Sequence, residues 1–169
     1  MKQDETFEIS YTLRTDRKTV FEMWINPGSF SDWLGPDEAV MTFLETNVAE
    51  GGTSLWTMIT PDGMTKFGQI SFKTIEPDQL LVYTQNFCDK DGNFTKAPFS
   101  ATYPDYLLTT VHFSEEEDNG TGIHVKWEIF GKATEQEKQT FSGMKEIMKT
   151  GWTDSFRKLE ALLSLGRQQ

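Results

Sequence analysis

Two histidines, one cysteine and a few carboxylates are the residues of this chain best suited to chemistry, and their spacing limits what they can do. His112 and His124 flank "SEEEDNGTG", whose Asn119-Gly120 pair marks a hairpin turn. Folding about that turn makes the two imidazoles near cross-strand partners, close enough in principle to share a metal ion. Both alternate with Val111, Phe113, Ile123, Val125 and Trp127, so the apolar set faces inward and the histidines face out. No cysteine and no carboxylate at ligand spacing joins them, so no metal site is expected. "DKDGNFTKAPFS" opens like a calcium loop at Asp89 and Asp91, but Phe94 occupies the glycine position and Ser100 that of the bidentate glutamate. A plain turn is expected there.

Cys88 is the only cysteine, which excludes an intrachain disulfide, and no histidine lies near it in sequence to stabilise a thiolate. "EGGT" lacks both the lysine and the spacing of a phosphate loop, and nothing matches a dinucleotide fingerprint or a nucleophile elbow. Tyr83 and Asp32 remain as protic candidates for acid-base work, although the strand holding Tyr83 is apolar on both faces and leaves its direction open. No catalytic residue and no cofactor is assigned. The run Glu115 to Asp118 reads as solvated hairpin charge.

The elements that must position these side chains follow from hydrophobic periodicity. "TFEISYTLRT" alternates, with Phe7, Ile9, Tyr11 and Leu13 on one face of a strand. Asp16 caps a helix carrying Val20, Phe21 and Trp24, and Pro27 opens a second short helix that Gly35-Pro36 ends. From residue 38 to 129, β-branched and aromatic segments divided by turn residues predict an antiparallel meander. Its long segment, residues 86–106, carries Phe87, Phe94, Phe99, Tyr103 and Tyr106 and reads as an aromatic lid. Thr134 to Gly166 predicts one long amphipathic helix, with Thr134 and Glu137 as a capping box. Its buried stripe is Phe141, Met144, Met148, Trp152, Leu159 and Leu163. At 169 residues the chain is expected to form a single α+β domain over residues 1–169.

Composition narrows the function. Acidic residues outnumber basic ones 26 to 16, and the net charge of -10 opposes binding to a phosphate backbone, so no nucleic-acid role is expected. No segment is apolar over the ~18 residues a membrane helix needs. "MKQDETFEIS" shows no apolar export core, and with a lone cysteine this favours a cytoplasmic location. The surplus is aromatic and sulfur-bearing: 13 Phe, 5 Trp, 4 Tyr and 7 Met. Most must pack the core, yet a helix laid over a curved sheet leaves room at its middle, which Met144, Met148 and Trp152 would line. Gly151 costs a helix interior about 1 kcal/mol relative to Ala. It is therefore read as a close approach to the second short helix around Trp33, with Trp152 closing the narrow end of a pocket.

The order of elements, with "WLGP", "EGGTSLWTM", "PDG", "FGQISFKTIEPDQLLVYT", "NGTGIHVKW" and "TGWTDSFRKLEALL", resembles the activator of heat-shock protein 90 ATPase homologue family. That family belongs to the START-like helix-grip superfamily, and the likeness spans roughly residues 7–165. Trp33 to Pro36 matches the family's Trp-Trp-Gly-Pro, with Leu34 in place of the second tryptophan. The resemblance implies a curved sheet gripping a long C-terminal helix around a central cavity. It further implies that Phe30 and Trp33 edge the cavity mouth and that Gly51-Gly52 sets Ser54, Trp56 and Met58 inward. With Tyr83, Phe99, Met144, Met148 and Trp152, these form the expected binding set for a small apolar or amphipathic molecule. Two other readings stay open: a protein-interaction module tied to chaperones or the stress response, and a cyclase- or hydrolase-type enzyme on the same fold.

Overall fold

The computed structural model describes residues 6–167, with side chains through residue 164. Seven strands form one antiparallel sheet: β1 (Thr6–Leu13), β2 (Val40–Glu45), β3 (Thr53–Ile59), β4 (Thr65–Glu76), β5 (Leu80–Phe87), β6 (Leu107–Glu116) and β7 (Gly120–Ile129). Their order is β1-β7-β6-β5-β4-β3-β2, so strands β2 to β7 run as a meander and β1 closes the far edge against β7. Helices α1 (Arg17–Ile25) and α2 (Pro27–Trp33) connect β1 to β2, and α3 (Glu135–Gly143) and α4 (Lys145–Arg167) follow β7. This is the α+β helix-grip arrangement: a curved sheet with a long C-terminal helix across its concave face.

Local chemistry sets the element boundaries. The Asp16 carboxylate accepts the Thr19 N–H and caps α1. Asn26 ends α1 and, through Oδ1, caps α2, with Pro27 at the first helical position where its missing N–H costs nothing. The outward turn of β1 and the register of the last hairpin follow the sequence pattern. Phe7 and Leu13 are buried, Val111 pairs with Val125, and His112 pairs with His124. A 3-10 turn at Glu117–Asn119 reverses that hairpin, and Asp118 and Asn119 both adopt positive φ. The sheet bends where its register slips, between Phe43 and Glu45 on β2 and between Phe72 and Thr74 on β4.

The predicted single C-terminal helix is two. Gly143 is the last residue of α3, and Met144 leaves helical geometry at φ -101°, ψ 6°. Its N–H bonds the Phe141 carbonyl three residues back, a tightened last turn, while its carbonyl accepts the first bond of α4 from Met148. Period alone hid the break, because Phe141 and Met148 are both buried on either side of it. The capping box at Thr134 and Glu137 forms as the sequence indicates, with each side chain bonding the other residue's backbone N–H.

The core is aromatic and lies where α1, α2 and α4 meet the sheet. Trp24 is its hub, with ring centroids 4.6 Å from Trp33, 5.3 Å from Phe113 and 6.2 Å from Trp152. Trp33 is fully buried and donates its indole N–H to the Met23 carbonyl at 2.9 Å, locking α2 onto α1. The loop after α2 is strapped to α4: the Gly35 N–H donates to the Ser155 hydroxyl at 2.8 Å, and Lys158 donates to the Pro36 carbonyl.

Residues 86–106 are a packed wall rather than a free lid. The Asp89 carboxylate accepts the backbone N–H groups of Asp91 and Asn93, giving the tight turn expected there and holding that carboxyl below its ordinary range. Phe87, Phe99 and Tyr103 pack edge to face at centroid distances of 5.0 to 6.0 Å. Helix α3 clasps the segment from outside, through Lys96 to Glu137 at 3.2 Å and the Thr102 and Thr140 hydroxyls at 2.7 Å.

Candidate functional site

Between the concave face of the sheet and α4 lies a cavity of about 560 Å³. The sheet contributes Met41, Trp56, Met58, Ile70, Tyr83, Leu107 and Trp127 from six neighbouring strands. The break between α3 and α4 and the first turns of α4 contribute Met144, Ile147, Met148, Gly151 and Trp152. Leu34 to Pro36 and Tyr103 to Asp105 complete the lining. Almost every wall is thus hydrocarbon, aromatic ring or thioether, which favours apolar surface over water by roughly 25 cal/mol for each Å² buried. Met41, Met58, Met144 and Met148 in the lining make the walls adaptable in shape.

Of the expected binding set, Trp56, Met58, Tyr83, Met144, Met148 and Trp152 line this cavity, and four do not. Phe30 and Trp33 are buried in the core on the far side of Leu34, with Phe30 packed between Trp24, Trp33 and Phe43. Their aromatic bulk fastens α2 and leaves the cavity edge to Leu34, Gly35 and Pro36. Ser54 is fully buried, but its hydroxyl accepts the Asn47 N–H at 3.0 Å and so ties the loop before β3. Phe99 is 40% exposed on the outer side of the 86–106 wall, with the Lys66 ammonium 5.1 Å from its ring centre.

Gly151 is where the sequence reading is overturned. A Cβ added there would meet nothing within 4 Å, so the residue makes no close approach to α2. One turn further on, Ser155 holds the loop after α2 through the Gly35 backbone. Gly151 instead borders the cavity and contributes open volume by lacking a side chain. The glycine that does make room is Gly68, paired directly with Trp56. A Cβ there would fall inside the indole ring, so the glycine lets that ring lie flat across the strand as a cavity wall.

Polar groups in the walls are few. On β5 and β6 the inward positions Tyr83, Gln85 and Thr109 form a connected set: Tyr83 pairs with Thr109, and the Thr109 hydroxyl donates to Gln85 Oε1 at 2.8 Å. Burial pushes the Tyr83 hydroxyl up to about 12, against a smaller opposing pull from Trp24 and Thr109, so it is a neutral donor at physiological pH. Burial also raises the Tyr103 hydroxyl well above its ordinary value. Gln85 and Thr109 went unnoticed at the sequence level. Their signal was available as polar residues in phase with Leu81, Tyr83 and Phe87 on one strand and with Leu107, Val111 and Phe113 on the next.

Other chemistry-bearing side chains lie elsewhere. Asp32 is exposed on α2. Cys88 is buried, and burial with help from Asp89 pushes its thiol up to about 11, which keeps it protonated and unreactive. His124 bonds Ser10 at 2.8 Å and Glu8 at 3.0 Å on the outer face of the sheet. Among the described residues, no three His, Cys, Asp or Glu side chains converge on one point.

Similar structures share this architecture. A Mycobacterium smegmatis protein superposes with a TM-score of 0.78 at 19% identity, covering 96% of this chain and 94% of its own. A solution structure from Arthrobacter aurescens gives 0.78 at 25% identity, over 95% and 86% of the two chains. The AHSA1 protein of Silicibacter pomeroyi gives 0.70 at 15% identity, over 95% and 99%. No curated protein matches the chain significantly. The profile of the family described as "Activator of Hsp90 ATPase homolog 1-like protein" matches residues 14–164. With the helix-grip fold around them, those residues make the chain a member of that family.

Proposed function

We propose that this chain is a single-domain cytoplasmic protein that binds one small apolar or amphipathic molecule between its sheet and α4. The observation that carries this reading is the cavity itself. At about 560 Å³ it falls in the size range of small-molecule sites, and its walls are apolar around a few placed polar groups. Trp56, Met58, Tyr83, Met144, Met148 and Trp152 would contact the bound molecule.

The test is a thermal-shift screen of fatty acids, isoprenoids and aromatic metabolites, with mass spectrometry of an organic extract of the purified protein. A ligand at a hundred times its Kd should stabilise the fold by about 2.7 kcal/mol. Absence of any shift, of any tryptophan fluorescence change and of any extracted molecule would rule the reading out.

Membership of a family named for an Hsp90 ATPase activator favours a second reading, a chaperone- or stress-linked protein contact made by the acidic surface. A salt-sensitive partner that binds equally well when the cavity is filled would favour it. An enzymatic reading has less support. Asp32 does not line the cavity, and the side chains that bond the Tyr83 hydroxyl, Trp24 and Thr109, are not titratable and complete no acid-base pair with it.

A further inference from the structure

Resting on that reading, we infer that the cavity selects a molecule bearing an uncharged hydrogen-bond acceptor, a carbonyl above all, and that the Gln85 side-chain amide receives it. The starting point is the cost of polar groups on an apolar wall. A side chain with unmet hydrogen-bonding groups in such a place loses stability that leucine or methionine would keep. The inward rows of β5 and β6 nevertheless carry Tyr83, Gln85 and Thr109 side by side.

Thr109 is fully buried, and its hydroxyl donates to Gln85 Oε1 at 2.8 Å. That bond fixes the orientation of the amide. The oxygen is committed to the sheet, while Nε2, with two N–H donors, has no acceptor among the described residues. Gln85 is itself a lining residue and is only partly buried, so those donors belong to the cavity and not to the packed core. A purely structural pair would close on itself; this one is half closed, with its donor end left for something else.

Charge decides which acceptor. The lining holds one basic side chain, Lys66, against two acidic ones, Asp105 and Glu146. The Lys66 ammonium lies over the Phe99 ring on the outer wall, 5.1 Å from its centre. An anion placed at Gln85 would therefore be desolvated with no cation committed to it, which is far more costly than placing a ketone, ester or amide carbonyl there.

The experiment uses three pyrene probes of nearly equal size: 1-ethylpyrene, 1-acetylpyrene and 1-pyrenecarboxylate. Each is titrated by fluorescence into the wild-type protein, Gln85→Met and the isosteric Gln85→Glu, with thermal melts confirming that the variants fold. Wild type should bind the ketone more tightly than the carboxylate. The ketone-to-hydrocarbon affinity ratio should fall about fivefold or more in both variants, the value of one hydrogen bond near 1 kcal/mol. An unchanged ratio in both variants, or preference for the carboxylate, would overturn the inference while leaving an apolar binding site in place. Failure of all three probes to bind the wild type would remove the binding reading as well.

Discussion

Replacing Gly151 by alanine should stabilise the protein, although the position lies in the interior of its longest helix and beside the buried Trp152. Glycine costs a helix interior about 0.8 to 1.0 kcal/mol relative to alanine, because its unfolded state is freer and it leaves backbone exposed. That cost is recovered on substitution only if the new methyl group meets no neighbour. An ideal Cβ at Gly151 finds no atom within 4 Å, and the residue's backbone is ordinary helix. The expected gain is about 1 kcal/mol, or roughly 2 to 4 °C in Tm for a chain of this length. Urea unfolding followed by circular dichroism reads it directly as a higher midpoint at unchanged slope. A loss of 0.5 kcal/mol or more would refute the reasoning, since it would mean that backbone or side chain packs closely over Gly151 and that the cavity does not reach it.

Three further outcomes are expected. Trp152→Ala should cost about 3 kcal/mol in the same urea assay, toward the low end for buried tryptophan because one side of the ring already borders open space. Hydrogen bonding from the Thr134 N–H, aided by the Lys96 ammonium, holds the Glu137 carboxyl below its ordinary value. Its contribution is therefore present above the unfolded carboxylate pKa of about 4.3 and is lost as pH falls through the lowered folded value. Glu137→Gln should flatten that acid-side decline in stability. At the other extreme, burial raises Tyr83 to about 12, so its contribution is present below the unfolded value of about 10 and is lost as pH climbs from there through the folded value. Tyr83→Phe should soften the alkaline loss and remove one late-titrating phenol from an ultraviolet absorbance titration.

What could be read from the sequence was whatever local chemistry decides. Asp16, Asn26 and Thr134 announce helix starts because their side chains satisfy N–H groups that nothing else nearby can. Alternation placed His112 and His124 on the outer face because a one-residue slip would have buried both. Family resemblance supplied the grip of sheet around helix. What escaped was decided by tertiary context. The break at Met144 keeps the same residues buried on both sides, so periodicity does not register it. Trp33 and Phe30 are as apolar as any cavity wall, and only the path of α2 shows that they face the core. Gly151 has two physical explanations, close approach or open space, which predict opposite mutational signs and share one sequence.

The most direct measurement of the central claim is a stoichiometric titration of pyrene into the wild-type protein and into Gly151→Leu. A Cβ at this position meets no neighbour and Gly151 borders the cavity, so a leucine there is expected to take up binding space while the variant still folds, which a urea melt checks. The expected result is saturable binding of one equivalent by wild type and at least tenfold weaker binding by the variant, a loss of about 1.4 kcal/mol. Equal binding by both proteins, or none by wild type, would contradict a ligand site between the sheet and α4.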